Sequence, residues 1–194
     1  MRHLRMLAIT AAALLVPNLM LTHDAEARSR GSKRSKVTEI IVHATGGPFC
    51  QGGKVVFSPP GTGETMKRFF EKNGTVSIHY IVDRDGTVLK SVPEDEVAVH
   101  TVGHNDNAIG IELINHGDGK EAYPEVQVQA LAKLVREVQK RWKVPLGQVK
   151  GHEDVDSSMF NCAGKSVRRK QDPGPLFPWA QVRQQLQLAE KSGR

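Results

Sequence analysis

The chain has 194 residues, 39% hydrophobic and 25% charged, with a formal net charge of +6. That balance excludes an intrinsically disordered polymer and leaves room for one globular core. Arg28, Arg30, Lys33, Arg34 and Lys36 crowd positive charge into one short run with no aromatic interleaved, which argues against a nucleic-acid groove, and the remainder is close to neutral.

Arg2 and Arg5 precede an apolar run over 6–16, and Ala25-Glu26-Ala27 follows. This is the pattern of a signal peptide, 1–27, cleaved after Ala27. The run is too short, and too soon interrupted by Pro17 and Asn18, for a membrane span. The protein is therefore expected to be exported, to the periplasm, the cell envelope or the exterior. No cysteine lies near the cleavage point, so lipoprotein processing is not indicated. Residues 28–36 are expected to form a disordered basic arm that aids surface attachment and adds nothing to the fold.

Residues 38–42 form a β-branched, apolar run that predicts a buried strand ending at His43, and a glycine loop follows. The end of a buried strand faces the rim of a sheet, where α/β proteins place their chemistry. Residues 49–63 are rich in Gly and Pro and are expected to be irregular. Residues 63–73 predict a short helix with Met66, Phe69 and Phe70 on one face. Two strands, 77–82 and 87–92, are joined by Asp83-Arg84-Asp85-Gly86, a hairpin signal. A short strand is expected over 97–100. Another over 109–114 alternates so that Glu112 shares a face with Gly110 and Ile114. The stripe Val128, Leu131, Leu134, Val135 and Val138 predicts the longest helix, 125–142, stopped at Val144-Pro145. Residues 149–152 read as a short strand and 178–191 as a last helix. Strands interleaved with helices, without repeats, predict a single α/β domain over 37–194.

Residues 151–179 carry His152, Lys170 and Asp172 in a segment that a packed core would not need. Asp172 heads the turn Asp172-Pro173-Gly174-Pro175, in which two prolines fix φ around a glycine free to take positive φ. A carboxylate held still in this way is what a metal ligand requires. With His43 in HATGG and Glu112 in GIEL, these segments resemble the zinc-dependent N-acetylmuramoyl-L-alanine amidases of the AmpD-like and peptidoglycan-recognition-protein superfamily, to which phage T7 lysozyme belongs. The resemblance covers roughly residues 38–179.

The resemblance implies a central mixed β-sheet flanked by helices, and a Zn2+ cofactor held by His43, His152 and Asp172. It implies hydrolysis of the amide between the lactyl group of N-acetylmuramic acid and L-alanine of the stem peptide by zinc-activated water. Glu112 would then be the general base, and Lys170, two residues before Asp172 in the K-x-D pattern, would stabilise the oxyanion. His79, His100 and Asn105 are expected to line the substrate cleft, the partner being peptidoglycan or muropeptides. His104 and His116 receive no assignment. The 18 residues from His152 to Lys170 exceed the family's spacing, so residues 157–166 read as an insertion beside the zinc. Ile78 stands where phage-type and recognition-protein members carry a catalytic tyrosine, which places the chain on the AmpD-like branch.

Cys50 and Cys162 both lie in loops after an expected ligand. In an exported chain they permit a disulfide, while in some relatives a cysteine replaces the third ligand, so Cys162 competes with Asp172. A non-catalytic peptidoglycan receptor on the same fold is the alternative function; it would lack a ligand or the base, and neither is missing. A zinc D,D- or L,D-peptidase would need an H-x-H motif, which the chain does not contain.

Overall fold

A computed structural model describes residues 30–192, with side chains to Leu188. The expected signal peptide, 1–27, lies outside the described residues. In chain order the elements are β1 (Glu39–Ala44), β2 (Pro48–Gln51), β3 (Lys54–Phe57), α1 (Gly63–Lys72), β4 (Tyr80–Val82), β5 (Val88–Lys90), β6 (Ala108–Leu113), α2 (Glu125–Trp142), β7 (Val149–Gly151), α3 (His152–Val155), β8 (Met159–Cys162), β9 (Lys165–Arg168) and α4 (Trp179–Ser192).

A five-stranded mixed sheet has the order β5-β4-β6-β1-β7. The pairs β1·β6, β1·β7 and β4·β6 are parallel and β4·β5 is antiparallel. Period-two alternation divides the sheet's side chains between two faces. Ile40, Val42, Tyr80, Val82, Ile109, Ile111 and Leu113 pack against Val128, Leu131, Val135 and Val138 of α2 and against Val182 and Leu186 of α4. On the other face, Ile81 and Ile114 meet Phe70 of α1 and Ile78. His43 and Glu112 belong to that second face and are Cα partners across the β1·β6 pair. Among the described residues no helix is long and apolar enough to cross a membrane.

The helices 125–142 and 63–72 fall where the periodicity predicts them. The segment 49–63 is not irregular throughout, because β2 and β3 form an antiparallel hairpin. Residues 97–100 form no strand: Val99 instead exchanges hydrogen bonds with Ser77 through its carbonyl and its amide. The expected insertion folds as a second hairpin, β8–β9.

The basic arm is corrected most. Residues 30–36 are anchored rather than free, although Gly31, Lys33, Ser35 and Lys36 remain exposed. Arg34 is 6% exposed, and its guanidinium donates to the carbonyls of Glu94 (2.9 Å), Asn105 (3.1 Å) and Ala108 (2.7 Å). Arg30 donates to the carbonyls of Asn73 and Phe70 at the end of α1, and Lys33 pairs with Asp95 and Glu96. Charge density predicts a solvated run, but the loop 94–108 presents inward carbonyls that only a forked cation satisfies at once. Arg34→Ala leaves these acceptors unpaired. At about 1–3 kcal/mol per orphaned group, the loss should reach at least about 2 kcal/mol. For a domain of this size that is a melting-temperature drop of roughly 4–8 °C. An unchanged midpoint by calorimetry would mean that the arm is dispensable.

Candidate metal centre

Parallel pairing brings the carboxyl ends of β1, β6 and β7 to one rim of the sheet, the position at which open α/β sheets bind ligands. His43 comes from the end of β1, Glu112 from the end of β6, and His152 opens α3 directly after β7. Asp172 arrives from a remote segment. Its carbonyl accepts from the Glu153 amide (2.9 Å), and the Tyr123 hydroxyl donates to the carbonyl of Pro173 (2.6 Å). The Asp172–Pro173 peptide is cis, and Gly174 takes φ +84°, the positive value expected for this turn.

These supports deliver three donor atoms to one point. His43 Nδ1 and His152 Nδ1 are 2.8 Å apart, and Asp172 Oδ2 lies 3.3 Å from the first and 3.1 Å from the second. All three residues are buried. Burial is the main cause that lowers the His43 imidazole to about 4, so its ring is neutral at neutral pH. Burial also works to raise the Asp172 carboxyl, but hydrogen bonds from His152 and then His43 hold it below the usual carboxylate range. Two imidazoles and a carboxylate suit a borderline-soft divalent cation. With zinc–ligand bonds of about 2.0–2.1 Å, neighbouring donors of a tetrahedron sit about 3.3 Å apart. The observed triangle is one slightly contracted face of such a site, so the residues fit a metal ion.

The triangle opens into a cleft of roughly 210 Å³ that Glu112, His100, Arg169 and Lys170 also line. Glu112 Oε2 is shielded from solvent and has no hydrogen-bond partner. Burial, and then the Asp172 charge, push its carboxyl up to about 8, while Lys170 acts in the opposite direction. The floor of the cleft requires Gly46, since a Cβ there would lie 2.1 Å from the carbonyl oxygen of His116. That close approach is between the backbones of the loops after β1 and β6.

Two expected cleft residues do not reach the cleft. His79 is fully buried. The Gly110 amide donates to its Nδ1 (3.0 Å), and its Nε2 lies 3.1 Å from the Glu96 carbonyl. Burial, then Arg34, whose Nη2 is 2.7 Å from the same nitrogen, lower this ring to about 3. Asn105 is also spent internally: its Oδ1 accepts from the backbone amides of His100 (2.9 Å) and Thr101 (2.8 Å). Alternation and loop position suggest outward-facing polar side chains, but unsatisfied backbone groups nearby claim both. His104 pairs with Glu39 at the opposite end of β1 (2.6 Å).

Cys50 and Cys162 are joined in a disulfide, which removes Cys162 from the ligand set. The bond links hairpin β2–β3, which follows His43, to hairpin β8–β9, which follows His152. The insertion is thereby tied to the hairpin that follows β1. A larger groove of roughly 570 Å³ lies between β5 and α2 on the other face of the sheet; its lining of Lys90, Val126, Lys133 and neighbours gathers no comparable chemistry.

Fold and site together define a single-domain α/β protein with a candidate three-donor metal centre at the carboxyl rim of its sheet. The chain belongs to the N-acetylmuramoyl-L-alanine amidase family (Amidase_2), whose profile matches residues 33–175. It is 33% identical over 132 residues to the N-acetylmuramoyl-L-alanine amidase AmiD of Escherichia coli K12, covering 57% of this chain and 44% of that protein. It is 34% identical over 116 residues to the 1,6-anhydro-N-acetylmuramyl-L-alanine amidase AmpD of the same organism, covering 56% and 57%. The chain thus spans about half the length of these curated relatives. The structure of E. coli AmiD with anhydro-N-acetylmuramic acid-L-Ala-D-gamma-Glu-L-Lys superposes with a TM-score of 0.61 at 25% identity, covering 82% of this chain and 61% of that one. A phage endolysin, from Klebsiella phage KP32, is 28% identical over 135 residues, covering 66% of this chain and 83% of that protein.

Proposed function

We propose that this protein is a zinc-dependent N-acetylmuramoyl-L-alanine amidase that cleaves the bond between the lactyl group of N-acetylmuramic acid and L-alanine of the stem peptide. The observation that carries the reading is the His43–His152–Asp172 triangle opening into a cleft that Glu112 and Lys170 also line. When bound, a zinc ion supplies Lewis acidity and brings the pKa of a coordinated water to about 7. Glu112 accepts the proton as the water oxygen attacks the amide carbonyl carbon. The Lys170 ammonium faces the negative charge that develops on the carbonyl oxygen. Glu112 then returns the proton to the departing alanine nitrogen as the C–N bond breaks, which restores its starting state.

Family membership and the AmiD and AmpD likenesses support peptidoglycan or muropeptide as the substrate class. Arg2, Arg5, the apolar run 6–16 and Ala25-Glu26-Ala27 support export to the envelope. Digestion of purified sacculi, with products identified by mass spectrometry, tests the reaction. Free stem peptides with an L-alanine amino terminus, released only when zinc is present, are the expected products. Zinc-loaded protein that binds sacculi and releases no stem peptide would make it a receptor.

A further inference from the structure

The three donor atoms account for one ring nitrogen of each histidine and leave the other to be explained. His43 turns Nδ1 to the triangle, so Nε2 faces away. That nitrogen lies 3.1 Å from Nδ1 of His100 and 3.5 Å from the hydroxyl of Thr101. His152 is arranged in parallel, with Nε2 facing Oδ2 of Asp156 at 3.9 Å. A neutral imidazole that gives one lone pair to a cation must carry its proton on the other nitrogen. His43 Nε2–H is then a donor, and His100 Nδ1 is the nearer of two acceptors, the Thr101 hydroxyl being the other.

His100 is held in place for that contact. Its backbone amide is fixed by Asn105 Oδ1, and its ring lies against the α-carbon of Gly110. A Cβ at Gly110 would sit 2.7 Å from His100 Cγ and 2.8 Å from Cδ2. The Thr101 hydroxyl lies 3.0 Å from His100 Nδ1. His100 Nε2, by contrast, is shielded from solvent and has no hydrogen-bond partner. The contacts with His43 (3.1 Å) and Thr101 (3.0 Å) both fall on Nδ1, and the Ala108 backbone also acts on the ring.

We propose that His100 is a positioning residue of the metal centre: its Nδ1 accepts the Nε2–H of His43, fixing that ligand's tautomer and ring orientation and strengthening its hold on the cation. This deepens the amidase reading and rests on His43 being a ligand. It moves His100 from contacting substrate to acting through His43. Such outer partners set ligand basicity, and their loss typically weakens metal affinity by roughly 10–100-fold.

The test measures zinc affinity by chelator competition, apart from any turnover. His100→Leu, which keeps bulk and removes the acceptor, should weaken zinc binding by roughly 10–100-fold. His100→Asn, whose side-chain oxygen takes the place of Nδ1, should recover most of that loss. A leucine variant within threefold of wild type, or an asparagine variant no better than leucine, overturns the proposal. Nitrogen-15 NMR of the zinc-loaded wild type gives an answer independent of whether the variants fold. Protons on Nε2 of both His43 and His100 are expected, and a proton on His100 Nδ1 overturns the proposal. Wild-type protein that binds no zinc would defeat the amidase reading as well, whereas normal zinc binding by His100→Leu defeats this inference alone.

Discussion

Glu112→Gln should lower kcat on muropeptide by roughly 10²–10⁴-fold, about 3–5 kcal/mol of barrier, with little change in affinity. The amide keeps the size and reach of the carboxyl but cannot take a proton. Zinc content should stay at the wild-type level, because the three donor atoms belong to other residues. A fall in kcat at constant binding marks an interaction made only in the transition state. The metal-free protein offers an independent check. Burial raises the Glu112 carboxyl to about 8 in the folded state, against an ordinary 4.5. Folding therefore favours the protonated form. The associated stability is complete below pH 4.5 and is lost as pH rises through about 8. Glu112→Gln should flatten that decline, and the two proteins' apo melting temperatures against pH would reveal it. Wild-type turnover in the variant would remove Glu112 from the mechanism.

His43→Ala should abolish stoichiometric zinc and, with it, detectable amidase turnover. It leaves one imidazole and one carboxylate, and catalytic zinc sites characteristically use three protein ligands. The variant should still fold: His43 lies at the rim, while the main core between the sheet and α2 and α4 is untouched. Elemental analysis of the purified variant reads the metal directly, and circular dichroism separates ligand loss from unfolding. A folded His43→Ala protein that retains one zinc per chain would show that the triangle is not the metal site. Full activity without zinc would defeat the proposed chemistry altogether.

Much of this site could be read along the chain because the chemistry sits on strand ends. His43 closes a buried apolar run and Glu112 lies inside another, so alternation alone places them on the face away from Ile40, Val42, Ile109 and Ile111. The hairpin at Asp85-Gly86 and the α2 stripe were legible for the same reason: local backbone preference and burial agree there. Asp172 was marked by its proline–glycine turn. The disulfide was only permitted by the sequence, since two cysteines 112 residues apart say nothing of distance.

What the sequence by itself determined is the order of elements, the two faces of the sheet and the residue types available for a metal. Those follow from periodicity and turn chemistry, which act over a few residues. Tertiary structure alone decided which polar side chains are free. Arg34 reads as part of a solvated run, yet it is buried because carbonyls of 94, 105 and 108 converge on it. His79 and Asn105 read as cleft residues, yet backbone amides of Gly110, His100 and Thr101 claim them. His100 also reads as a cleft residue, yet its Nδ1 meets the ring of His43. The physical reason is common: buried hydrogen-bonding groups seek partners, and which partner is available is set by distance in space, which no local pattern encodes.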